Sequence, residues 1–177
     1  TYLLNCQLKA NGKLLVEGRK GVIIGGKTCA KLGVSCNGIG NIAEIATVVS
    51  VGIDKEDMTA YQELQKKIEQ TQAELQTCEN GLNKLMANPV HDEKVSMMIQ
   101  RLTRAVYTLK SSRKELFSER NAQMEQMTKQ KEARIQVSGR AYPGTLLFLN
   151  EDPFAIKEIY NNVEFVKHDN RIDTLAH

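Results

Sequence analysis

Thr47-Val48-Val49-Ser50-Val51-Gly52-Ile53-Asp54 marks the point where the chain changes its period. Before it, short apolar runs alternate with glycine and asparagine. After it, apolar or small residues fall at Tyr61, Leu64, Ile68, Thr71, Leu75, Cys78, Leu82 and Leu85. Their steps alternate between three and four, which is the a/d seam of a heptad helix. Asn88-Pro89 interrupts it, because proline lacks a donor and restricts the residue before it. After Asp92, a residue suited to an N-cap, the seam restarts at Val95, Ile99, Leu102, Val106, Leu109 and Leu116. Beyond Leu116 it turns polar, with Arg120 and Gln123 in line before Met127. Residues 55–134 hold one glycine, Gly81, and one proline, Pro89. Two heptad helices joined by a short loop predict an antiparallel coiled-coil hairpin. Its length is about 45 Å for roughly 30 paired residues. The mixed charges on its remaining faces read as a solvated coiled-coil surface.

Working outward, residues 1–54 are strand-like and punctuated. Leu14-Leu15-Val16, Val22-Ile23-Ile24 and Val48-Val49-Ser50-Val51 alternate with recurring glycines. Runs this short suit a sheet that bends repeatedly, as in a β-solenoid, a barrel or a sandwich. The even rhythm favours the solenoid, in which each short strand stacks on the previous coil. The sandwich stays open, because no strict motif recurs. Residues 135–177 return to strand chemistry. Ile135-Gln136-Val137-Ser138-Gly139 alternates, Tyr142-Pro143-Gly144 is a turn, and Thr145-Leu146-Leu147-Phe148-Leu149 follows. Val163-Glu164-Phe165-Val166 and Ile172 read as further strands. The expected organisation is one discontinuous β domain, 1–54 and 135–177, with a helical hairpin, 55–134, inserted.

The 177 residues are 41% hydrophobic and 25% charged, with a mean hydropathy of -0.38. That is the make-up of one folded, soluble domain. A net charge of +3 is too small for a nucleic-acid binder, which carries a clustered basic face. No apolar run reaches the roughly 18 residues of a membrane helix. The start, Thr1-Tyr2-Leu3-Leu4, has neither an initiator methionine nor the basic region of a signal peptide, and suggests a chain cut from something longer. Cys6, Cys29, Cys36 and Cys78 form no Cys-x-x-Cys pair. They read as small hydrophobes of a reduced, cytosolic protein rather than zinc ligands.

Three motif matches fail on context. Gly21-Val22-Ile23-Ile24-Gly25-Gly26-Lys27-Thr28 satisfies the P-loop letters, but a P-loop must open a helix whose amides cradle phosphate. Gly38-Ile39-Gly40-Asn41-Ile42-Ala43 mimics a dinucleotide fingerprint, yet Glu44-Ile45-Ala46-Thr47-Val48-Val49 after it reads as strand. Ile24-Gly25, Ile39-Gly40 and Val51-Gly52 resemble a hexapeptide acyltransferase repeat, but the first interval is no multiple of six. His91, His168 and His177 are isolated. Glu151-Asp152-Pro153 and Asp169-Asn170 read as turns. No catalytic residue, cofactor site or metal site is expected.

Gly21 to Ala30, then Ile39-Gly40, then Thr47 to Gly52, and later Ala141-Tyr142-Pro143-Gly144 running into Thr145-Leu146-Leu147-Phe148, resemble the flagellar assembly protein A family. The order of these segments around a coiled coil is similar over nearly the whole chain. Ala141 departs from the β-branched residue the family prefers. The resemblance implies a right-handed parallel β-helix interrupted by a coiled-coil hairpin. It implies a bacterial cytoplasmic protein acting in flagellar assembly or placement, often at the cell pole. It carries no catalytic residues, and the matching glycines, Gly25, Gly26, Gly40, Gly52 and Gly144, read as structural turns together with Tyr142 and Pro143.

The leading expectation is therefore a non-enzymatic scaffold whose arm presents a protein-binding surface. Asn88, Pro89, Val90 and His91 at the arm's tip are the candidate contact, since loops on rigid supports often carry recognition. The expected partners are flagellar, polar-landmark or regulatory proteins, with neither nucleic acid nor an integral membrane segment involved. One rival is self-assembly into a homo-oligomer, with open solenoid ends stacking as in bactofilin-like β-helices. The other is an enzyme handling nucleotides or acyl groups, which rests only on the failed motifs.

Overall fold

The computed structural model describes residues 2–18, 20–87, 92–169 and 171–176. Five strands come first: β1 (Tyr2–Ala10), β2 (Leu14–Val16), β3 (Val22–Ala30), β4 (Val34–Ile39) and β5 (Thr47–Val51). They pair with one another only in parallel. Tyr2 stacks on Val22 and Leu14 on Val34, twenty residues later in each case. Gly26 stacks on Thr47 in the next round. The chain then forms α1 (Lys55–Met86) and α2 (Glu93–Lys131) before resuming with β6 (Ile135–Ala141) and β7 (Thr145–Leu149). β6 adds in parallel to β4, and β7 to β5. The last strands, β8 (Asp152–Ala155), β9 (Tyr160–His168) and β10 (Arg171–Ala176), add antiparallel.

Stacking in register puts like residues above like, and three inner ladders result. Leu3, Ile23, Ile39, Ala141 and Tyr160 form one. Leu8, Thr28, Val49, Leu147 and Phe154 form the second. Leu14, Val34, Ile135 and Phe165 form the third. Their middle members are buried, all but Thr28 in a single hydrophobic cluster. Burying each Val, Leu or Ile among them contributes about 1.5–3 kcal/mol. Every ladder ends on an aromatic ring, and the three rings meet. Phe154 and Phe165 have centroids 5.5 Å apart, Tyr160 and Phe165 5.7 Å, and Phe154 and Tyr160 6.5 Å. These tilted and edge-on contacts plug the core where the parallel rounds stop and the antiparallel strands cross over it.

Three local readings of the sequence change. The short run Val22-Ile23-Ile24 is part of a nine-residue strand, β3. Gly25 and Gly26, at φ +71° and +73°, bend it at a corner without ending it. A Cβ on Gly26 would lie 2.2 Å from the Cys6 carbonyl oxygen, so only glycine lets the two rounds approach. The strand expected from Glu44 begins at Thr47, because Glu44 turns the chain with φ 53°. The turn expected at Glu151-Asp152-Pro153 is centred on Asn150 and Glu151, both left-handed. Pro153 itself lies in β8, at the end of the sheet order, where no donor is missed.

The chain divides into two compact units, one of residues 1–58 and 125–177, the other Thr59–Met124. Within the second unit the helices run antiparallel. A Cβ on Gly81 would sit 3.6 Å from Leu102 Cδ1. Glu79 pairs with Lys110 at 2.8 Å, and Arg113 donates to Gln72 Oε1 at 2.8 Å. Leu64, Ile68, Leu75 and Val106 are buried, and the other seam positions through Leu116 are half-buried. Asp92 caps α2, its Oδ1 accepting from Val95 N at 2.8 Å. No helix among the described residues is long and apolar enough to cross a membrane.

Candidate functional site

Successive rounds turn the same corner in different ways. The second passes from Ala30 to Val34 through Lys31-Leu32-Gly33. The third leaves at Val51 and returns at Ile135, stacked on those same residues. Val34 N donates to Arg134 O at 2.9 Å, so the short corner lies directly against the returning chain. A three-residue turn has been replaced by two helices.

Asn150, from the following round, holds this replacement together. Its Oδ1 accepts from Ile53 N at 2.9 Å, where the chain departs. Its Nδ2 donates to Lys131 O at 3.1 Å, where α2 ends. The second bond satisfies a carbonyl that has no partner within the helix. Gly52 makes room for the clamp. Its φ is +89°, and a Cβ there would stand 2.1 Å from Asn150 Oδ1.

α1 starts from this root with its own cap. Asp57 N donates to Asp54 Oδ1 at 2.9 Å, and Asp54 N reaches back to Asp57 Oδ2 at 3.5 Å. This is the reciprocal pattern of a capping box. Acidic side chains here also oppose the positive end of the helix dipole. Two lysines of the earlier rounds complete the cluster. Lys9 lies 3.4 Å from Asp54 and 2.5 Å from Glu56, and Lys31 lies 2.5 Å from Asp57. Burial works against charge on Asp54, but the Asp57 amide, Lys31 and Lys9 outweigh it and hold its carboxyl below the ordinary value of 3.8. Lys9 is shifted the other way, above 10.5, chiefly by its hydrogen bond to Glu56.

An open groove of about 710 Å³ runs beside the root, lined by Lys9, Lys27, Cys29, Ser50, Phe148 and Glu151 among others. Lys9, Cys29, Ser50 and Phe148 form one row across four stacked strands. Lys9 and Lys31 are already committed to carboxylates, and no group of three metal-binding side chains occurs among the described residues. Burial pushes the Cys36 thiol up to about 12. The contacts at the root tie the first turn of α1 and the end of α2 to the stack.

The expected turn residues lie at corners of the rounds. Gly25, Gly26, Gly40, Gly52 and Gly144 all have positive φ. Tyr142 N donates to Ile39 O at 2.9 Å, and Pro143-Gly144 leads into β7. The candidate contact Asn88, Pro89, Val90 and His91 lies outside the described residues. The P-loop letters Gly21 to Thr28 run into β3, whose backbone is taken up by its ladders. Sequence reasoning missed Asn150, Lys9 and Lys31. The one available signal was Asn150 itself, since asparagine is favoured in left-handed turns.

Parallel rounds of about twenty residues, joined through short corners and interrupted by one helical excursion, define a β-solenoid protein with a helical insertion. The β-solenoid domain model of the Flagellar Assembly Protein A family matches residues 1–172, and the chain belongs to that family. No curated protein and no solved structure matches it significantly.

Proposed function

We propose that this chain is a non-enzymatic cytoplasmic scaffold in the assembly or polar placement of bacterial flagella. Within the β domain, 1–54 and 135–177, the parallel rounds through Leu149 form a right-handed β-helix, which the antiparallel strands β8 to β10 close, and the whole serves as the rigid body. Right-handedness is what the family resemblance implies, and it agrees with the preference of parallel connections within a sheet. The insertion, 55–134, is an antiparallel coiled coil that presents the binding surface, with Asn88 to His91 as its contact loop. Its partners are flagellar, polar-landmark or regulatory proteins. Family membership supports the flagellar part of this reading.

One observation carries the role given to the arm. The β stack turns this corner in three residues one round earlier, so the helices are not needed to close it. Helices of 32 and 39 residues at that place serve something other than the fold. The test replaces residues 52–134 with Lys-Leu-Gly, copying the corner at Lys31-Leu32-Gly33. Both chains are then used as bait in lysate of a flagellated bacterium. Flagellar or polar proteins captured by the full chain and lost with the arm support the reading. Capture of the same proteins by both baits contradicts it.

A further inference from the structure

The two faces of α2 differ in a way the seam does not explain. Between Glu93 and Glu115 the helix contains Lys94, Arg101, Arg104, Lys110, Arg113 and Lys114, and no Asp or Glu. Lys110 is paired with Glu79, and Arg113 is bonded to Gln72. Lys94, Arg101, Arg104 and Lys114 are exposed, and none is ion-paired with a described residue. At 100° per residue Arg101 and Arg104 fall on the arc opposite the seam residues Val95, Ile99, Leu102 and Val106, with Lys94 and Lys114 on its two flanks. Met97 and Tyr107 share that arc and are 49% and 78% exposed, with Met98 at its edge, 51% exposed.

We propose that this outer face of α2 docks an acidic, helix-forming segment of a partner protein. The inference rests on the reading of the hairpin as the recognition element, and it names the face and the chemistry. Solvated helix surfaces normally mix both signs, so a run of about three turns on each side of Arg104 without a carboxylate leaves its field uncompensated. A carboxylate-rich helix complements that field and aligns along the arm. Tyr107 supplies a rigid aromatic anchor, and Met97 and Met98 supply adaptable apolar contact. Lipid is a poorer occupant, because three scattered apolar side chains do not make the continuous face that inserts into a bilayer. Single-stranded RNA is poorer too, because one tyrosine is no stacking platform.

The test uses the full chain and two fluorescent 21-residue helical peptides, one with glutamates along one face and one with glutamine in their place. Anisotropy is read at low and physiological salt. The glutamate peptide should bind and the glutamine peptide should not. Arg101→Glu with Arg104→Glu should weaken binding at least about tenfold. Tyr107→Ala, which changes no charge, should weaken it several-fold. All these residues are exposed, so helix content by circular dichroism should stay unchanged. Equal binding by the charge-reversed chain would overturn the proposal. So would tighter, Arg101- and Arg104-dependent binding to phosphatidylserine vesicles or to single-stranded RNA. If the chain without its arm binds as well as the full one, the reading of the hairpin fails with it. If arm removal abolishes capture of cellular partners but charge reversal does not, only the outer-face proposal fails.

Discussion

The β stack and the helical hairpin are held together by different means. Seventeen buried side chains form one continuous cluster in the stack. Among the described residues of Thr59–Met124 only Leu64, Ile68, Leu75 and Val106 are buried hydrophobics. The geometry explains the gap. A strand inside a stack has neighbours above, below and across, whereas two paired helices meet along a single seam. The stack therefore has a core of its own, while the hairpin depends on its seam and on its anchorage at the root. A region with little core and a firm root is suited to presenting a surface.

The widest way to test this contrast is to make equal cuts in both regions. Leu147 is fully buried, and Leu147→Ala should cost about 2–5 kcal/mol by urea unfolding. Leu109, half-buried on the seam, should cost clearly less when changed to Ala. Equal costs would contradict the contrast. Next in size is Gly52→Ala, which sets a Cβ against Asn150 Oδ1 at a positive φ. A loss of about 1–3 kcal/mol is expected, with faster hydrogen exchange at Ile53. An unchanged Ile53 amide would show that the clamp does not anchor the arm.

Smaller still is the cap. Asp54→Ala should cost about 1 kcal/mol. Because Asp54 titrates lower in the folded chain than its ordinary 3.8, its contribution is present above that value and fades as pH falls through the folded pKa. Lys9 titrates above 10.5, so its contribution is present below that value and fades as pH rises past it. Asp54→Asn should remove part of the acid limb of the stability profile and weaken the alkaline limb without abolishing it, because Glu56 still holds Lys9. The smallest effect has the opposite sign. Gly81 sits inside α1 with ordinary contact distance to Leu102 for an added Cβ. Gly81→Ala should stabilise the hairpin by about 0.5–1 kcal/mol, read as added protection of its amides.

The two helices were readable from the sequence because their signal is local. Steps of three and four from Tyr61 to Leu85, and an Asp before the second run, need no knowledge of the rest of the chain. The flanking β character was readable for the same reason. The twenty-residue step was hidden, because one corner takes three residues and its counterpart takes more than eighty. Strand direction was hidden as well, since Val163-Glu164-Phe165-Val166 reads the same whether it runs parallel or antiparallel. Glu44 was misread because its left-handed turn belongs to a corner packed against Gly144, a hundred residues on. The root was invisible for that reason too. Asn150 meets Ile53 only once the rounds are stacked, and Lys9 meets Asp54 and Glu56 only across a corner.

The central claim is that the stack stands without its arm. Hydrogen exchange on the chain in which Lys-Leu-Gly replaces residues 52–134 tests it most directly. The account predicts that the amides of β3, β4, β6 and β7 keep their slow exchange, because the inner ladders and the aromatic plug are untouched. Exchange of those strands at unfolded rates would show that the hairpin is part of the core, and would contradict the account.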